Sequence, residues 1–163
     1  MSMNQAGLIK LWAVALILCL ANSVQAADWE QADKEDGITS YRKSESGSAI
    51  TAFKGETIIN APLAKVAWVI RDNDHRTKWV DRLKESKVLE VYNDFEKVIY
   101  QHFELNWPIA DRDYVYRAKA YWEGEKLVFN LRSTESAKAP KSVGVRANLI
   151  RCYYYLTPYG DNR

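Results

Sequence analysis

The chain has 163 residues and a formal net charge of +2, with its charged residues interleaved in sign. A chain of this length builds one modest core, and with no concentrated basic footprint it gives no electrostatic case for nucleic acid. Its two histidines, His75 and His102, and its two cysteines, Cys19 and Cys152, have no metal-ligand spacing. Neither a phosphate loop nor a nucleophile elbow occurs.

Residues 1–26 read as a signal peptide. Lys10 precedes the apolar run Leu11–Ala21, and Val24 and Ala26 occupy the small-residue positions of a cleavage site. The run is shorter than the roughly 20 apolar residues of a membrane span, and an uncleaved anchor is the alternative reading. Cleavage would place residues 27–163 in the periplasm or outside the cell. Cys152, the one cysteine of that mature chain, reads as a small buried hydrophobe within "LIRCYYYL".

The polar stretch 28–49 leads into a hairpin expected from strands over Ile38–Arg42 and Ala49–Ile59. Next, Leu63, Val66, Ala67 and Ile70 recur at helical spacing, with Pro62 suited to the first turn and Asn60 a candidate cap. A second helical turn is expected over Asp74–Val80, with His75 as a polar helix residue and Trp79 turned to the core.

From Lys87 onward, β-branched and aromatic runs alternate with short turn-rich pieces, the pattern of antiparallel neighbours. Tyr114, Tyr116, Ala118, Ala120 and Trp122 share one strand face, and Arg117 and Lys119 the other. Ile99, Phe103 and Leu105 make a similar apolar face, with His102 on the outward side beside Tyr100 and Glu104. The expected fold class is α+β, an antiparallel sheet with one or two helices packed against it.

Between two of these runs lies "NWPIADRDYVY", residues 106–116. A working carboxylate pair needs opposed environments that raise one pKa. With Arg112 between Asp111 and Asp113, an ion-paired turn is the more economical reading. Trp107 is expected buried, Pro108 fixes the turn, and Arg112 pairs with Asp111 or Asp113. No catalytic residue, metal or cofactor is expected.

The order of these pieces resembles the START family, the steroidogenic-acute-regulatory-related lipid-transfer domains, in a bacterial exported form. The carriers are "DGITSYR", "PLAKVAWVIRD", "LKESKVLE" after Trp79, and above all "NWPIADRDYVY", where Trp107, Pro108, Arg112, Asp113 and Tyr114 match the family pattern. Pro140, Val145, Arg146, Tyr154 and Pro158 follow a later signature. The resemblance implies a helix-grip fold: a curved antiparallel sheet wrapped around a long C-terminal helix, enclosing a lipid cavity. It implies lipid binding, transfer between membranes with transient membrane contact, and no catalysis. The family's last strands and long C-terminal helix have no counterpart before Arg163, so residues 27–163 are expected to be a C-terminally incomplete START-like domain. Dimerisation would be one way to cover the groove. By strand parity Phe103, Tyr116, Phe129 and Tyr153 line that groove, and a one-residue slip would invert them. Ala118 stands near the position of an arginine found in sterol-binding members, which leaves sterol specificity unsupported. The rival readings are an enzyme of the wider helix-grip superfamily acting on a lipid-like substrate, and a non-functional fragment.

Overall fold

A computed structural model describes residues 29–45, 47 and 49–160, and the expected signal segment lies outside them. The chain divides after Thr57 into two compact units.

The first unit is an antiparallel three-stranded sheet of β1 (Glu30–Glu35), β2 (Ile38–Ser44) and β3 (Thr51–Glu56), in that order. The sequence reading anticipated β2 and β3 but not β1, whose "EQADKE" has one small apolar residue and is exposed along its length. Hairpin geometry makes it a strand. Asp36 and Gly37 adopt φ of 50° and 77°, the positive values that match a two-residue turn to the strand twist. Across the sheet, Lys54 Nζ lies 4.1 Å from the Tyr41 ring centroid and 5.4 Å from that of Trp29.

The second unit begins with helix α1 (Leu63–Arg71) and a 3₁₀ turn (Arg76–Lys78). Strands β4 (Leu83–Asn93), β5 (Glu96–Phe103), β6 (Arg112–Glu123), β7 (Lys126–Ser133) and β9 (Cys152–Leu156) then form an antiparallel sheet in the order β4-β5-β6-β7-β9. The two-residue β8 (Val145–Arg146) runs parallel to the start of β6. Among the described residues α1 is the one α-helix, and none is long and apolar enough to cross a membrane.

Helix α1 follows the expected periodicity, with Ala67 and Ile70 packed on Ile99, Tyr116, Phe129 and Leu131. Its start differs from expectation. Pro62 stands at the N-cap, and no side chain, Asn60 included, caps the helix. Trp79 is also corrected: it is 47% exposed rather than turned to the core. In a 3₁₀ turn residues three apart eclipse. Arg76 takes the inward position, and Trp79 lies 5.7 Å from its guanidinium.

Strand β5 is buried on both faces. One face carries Ile99 against α1; the other carries Val98 and Tyr100, packed with Val115, Leu89 and Ala139. His102 is therefore buried, not on a solvated outer face as its alternation suggested. The cover is the segment between β7 and β9, which returns across the sheet. Thr134 N–H donates to Val115 C=O at 3.0 Å, and Val145 and Ala147 N–H donate to the carbonyls of Asp111 and Asp113, both at 2.9 Å.

Candidate functional site

The helix-side face of the second sheet carries the groove. Cross-strand register sets Ile99 opposite Tyr116, Ala118 opposite Leu131, Ala120 opposite Phe129, and Phe129 opposite Tyr154. Directly opposed residues share a face, so these side chains form one apolar floor. The small Ala118 and Ala120 between larger neighbours, with Ile70 of α1 at the side, make the depression. The space within this open depression is about 30 Å³, room for one or two waters. A larger ligand would lie along the open floor or displace α1.

At one end the groove is polar. Arg71 from the end of α1, Arg76 from the 3₁₀ turn and Lys97 from β5 line it together with Asp94. Arg76 is 5% exposed. Its guanidinium donates to the Ile70 carbonyl and reaches the Tyr116 hydroxyl at 3.4 Å, while its Nε has no partner. No carboxylate lies within ion-pair distance of it among the described residues. The neighbouring Asn73 Oδ1 is likewise buried without a partner. A buried charge lacking a counter-ion is destabilising by itself, and among the described residues the end of the groove holds such a cation. Lys97 Nζ donates to the Arg71 carbonyl at 2.8 Å. Burial, and then the charges of Arg76 and Arg71, pull the Lys97 pKa down. Burial pushes the Tyr116 and Tyr154 hydroxyls up, leaving both neutral, and raises the Cys152 thiol. A thiol raised in this way is no nucleophile.

Of the four residues placed in the groove from sequence, Tyr116 and Phe129 lie in its floor. Phe103 shares their face but lies farther along β5, packed edge-on against Tyr114 with ring centroids 5.7 Å apart. Tyr153 is on the opposite face, stacked on Tyr155 at 5.6 Å, and Tyr154 takes the inward position. In a run of three tyrosines the parity slipped by one. Arg76 itself was missed. It sits in the polar stretch "NDHRTKWV", and the one available signal was an arginine three residues before a tryptophan.

The row Trp107–Asp113 also differs from expectation. Trp107 is 93% exposed, not buried, and it is joined to Pro108 by a cis peptide. Arg112 donates to the carbonyls of Ala110 and Asp111 and pairs with neither carboxylate. Adjacent residues of an extended chain point to opposite sides, so an arginine flanked by aspartates is poorly placed to reach them. Asp111 accepts from Leu105 N–H at 3.0 Å and contacts His102 Nε2 at 2.7 Å. Those two bonds hold its carboxyl below the usual range. Asp113 is fully buried and accepts from Arg146 at 2.8 Å and Ser142 at 2.9 Å. Burial would raise its pKa, but the bonds from Arg146 and Ser142 outweigh this and hold it low. Neither carboxyl has the raised pKa of a general acid. The Asp113 carboxyl fastens the returning segment to the outer face through Arg146 and Ser142, while the Asp111 carboxyl ties Leu105 and His102 and leaves the segment to its backbone carbonyl.

Comparison with known proteins places this architecture. A START domain family model matches residues 13–163. An uncharacterised protein of Pseudomonas aeruginosa is 29% identical over 157 residues, covering 95% of this chain and 77% of that protein. Human phosphatidylcholine transfer protein is 28% identical over 138 residues, covering 82% of this chain and 62% of that protein. Among solved structures, a STAR-related lipid transfer protein from Xanthomonas axonopodis superposes with a TM-score of 0.74 at 24% identity, over 82% of this chain and 76% of its own. The lipid transfer and protein localization domain of human StarD13 gives 0.75 at 18% identity, over 99% and 79%. The fold is α+β and helix-grip-like, with an antiparallel sheet and one α-helix among the described residues. Proteins with this domain are typically non-catalytic binders and carriers of lipid.

Proposed function

Because the chain belongs to the START domain family, we propose that it binds a lipid on the helix-side face of its second sheet. The apolar part lies along Ile99, Phe129 and Leu131, and the polar group reaches Arg76. Each methylene removed from water there contributes about 0.8 kcal/mol, and Arg76 orients the headgroup. The observation that carries this reading is the buried guanidinium, without a carboxylate in ion-pair distance among the described residues, at the end of an apolar floor. Fork-shaped N–H donors suit a phosphate oxygen, and phosphatidylcholine transfer protein as a relative supports a phospholipid.

Transfer between membranes is the physiological role within this reading. Exposed Trp107 and Ile109, either side of Pro108, give an apolar tip for transient contact with a bilayer interface. The apolar run after Lys10 supports export to the periplasm with removal of residues 1–26.

Expression with export, purification without detergent, and mass spectrometry of extracted lipid test the reading together. The expected result is a chain beginning at Ala27 that carries a phospholipid. A folded protein that holds no lipid, and gains no thermal stability from phospholipid vesicles, would overturn it.

A further inference from the structure

We propose that the polar end of the groove selects lipids of net negative charge over zwitterionic ones, with Lys97 and Arg71 adding to the contact made by Arg76. This inference rests on the lipid-binding reading above. The selected class is a glycerophospholipid with an anionic headgroup, such as a phosphatidate or a phosphatidylglycerol.

Three cations converge on the C-terminal turn of α1. Arg76 donates to the Ile70 carbonyl, Lys97 to the Arg71 carbonyl, and Arg71 reaches over to the Asp94 carbonyl. A helix C-terminus attracts cations, but it offers only about half an elementary charge. Three full charges therefore leave a surplus, and none of the three has an ion-pair partner among the described residues. Lys97 points into the groove because it pairs in register with Ala118, on the same side as Ile99 and Tyr116.

The nearby acids form no ion pair with these three cations among the described residues. Asp72 is engaged by the His75 ring at 2.7 Å. Asp74 and Asp72 act on Lys97 more weakly than Arg76 and Arg71 do. Asp94 lines the same end, but Arg71 meets its backbone carbonyl, and its carboxylate forms no ion pair with the three cations among the described residues. A phosphate at Arg76 would relieve the mutual repulsion of the three cations. A quaternary ammonium beside that phosphate would restore it. Such a group also seeks the face of an aromatic ring. Two rings at this end already face the protein's own guanidiniums, Phe95 that of Arg71 at 5.5 Å and Trp79 that of Arg76 at 5.7 Å.

The test is lipid capture from vesicles that contain phosphatidate, phosphatidylglycerol and phosphatidylcholine in equal amounts with identical acyl chains, at near-physiological salt. Bound lipid is quantified by mass spectrometry. The wild-type protein is expected to hold the anionic lipids about fivefold over phosphatidylcholine, the ratio set by one screened charge contact at the upper end of its range. Lys97→Gln lowers that ratio, Lys97→Arg retains it, and Lys97→Gln with Arg71→Gln brings it near unity. Lys119→Gln, on the opposite sheet face, leaves it unchanged. Phosphatidylcholine captured equally or in excess by the wild type would overturn the selectivity and leave lipid binding standing. Capture of no lipid would overturn both. Inorganic phosphate stabilising the protein as strongly as phosphatidate would mark an anion site and contradict lipid selection.

Discussion

Arg76 lies among polar neighbours in the sequence, and nothing in its spacing announces burial. Folding turns it inward, where the Ile70 carbonyl at the end of α1 accepts from it and Trp79 lies against its guanidinium. A cation buried without a counter-ion is retained at a cost in stability, which gives an opposed pair of expectations. Arg76→Met should leave the ligand-free protein as stable as the wild type or more so, measured by thermal unfolding, while weakening lipid binding. Asp113 gives the contrary case, since its ion pair with Arg146 is complete. Asp113→Asn should cost about 3 kcal/mol at pH 7 by urea denaturation, the scale for breaking a buried pair. Its folded pKa is lowered, so the stabilisation is fully present above the unfolded carboxylate value near 4. It is lost as pH falls from there through the folded value. The gap between wild type and Asp113→Asn should therefore narrow steadily below about pH 4. A gap that widened in acid would contradict the assignment.

The legibility of each element follows from how many of its faces are buried. β6 has one face on the core and one toward water over most of its length, and its alternation gave the inward set Tyr114 to Ala120 without the structure. β5 has no clean alternation in "KVIYQHF" because the segment between β7 and β9 covers its second face. Lack of alternation is itself the signal of two-sided burial, and His102 lies on the covered face rather than on a solvated one. β1 was illegible for the opposite reason, as it buries nothing and exists through its pairing with β2. β9 shows the limit of parity: three consecutive tyrosines fit either register, so Tyr153 and Tyr154 could be ordered only by the pairing to β7. The covering segment makes its own prediction. A Cβ at Gly144 would collide with the Asp111 carbonyl, so Gly144→Ala should destabilise the protein by about 1–3 kcal/mol. The loss should appear in urea denaturation while the anionic-over-zwitterionic ratio of captured lipid stays as in the wild type.

At the scale of the whole molecule, the family was legible because its pieces occur in order, and "NWPIADRDYVY" carried that order although its expected contacts were wrong. Trp107 matched the pattern while standing almost wholly in solvent, a placement that suits contact with a membrane better than support of a turn. Trp107→Ala should slow lipid exchange between vesicle populations severalfold, followed by fluorescence dequenching, with equilibrium lipid loading unchanged. Equal exchange rates would remove Trp107 from the membrane contact. The central claim is that a lipid lies on the helix-side face with its polar group at Arg76. The most direct measurement is native mass spectrometry of the wild-type protein and Arg76→Met after the same incubation with phospholipid vesicles. The account predicts one lipid per chain in the wild type and at most about a tenth of that load in the variant, the loss of one charge-assisted contact. Equal loading of the two proteins would contradict it.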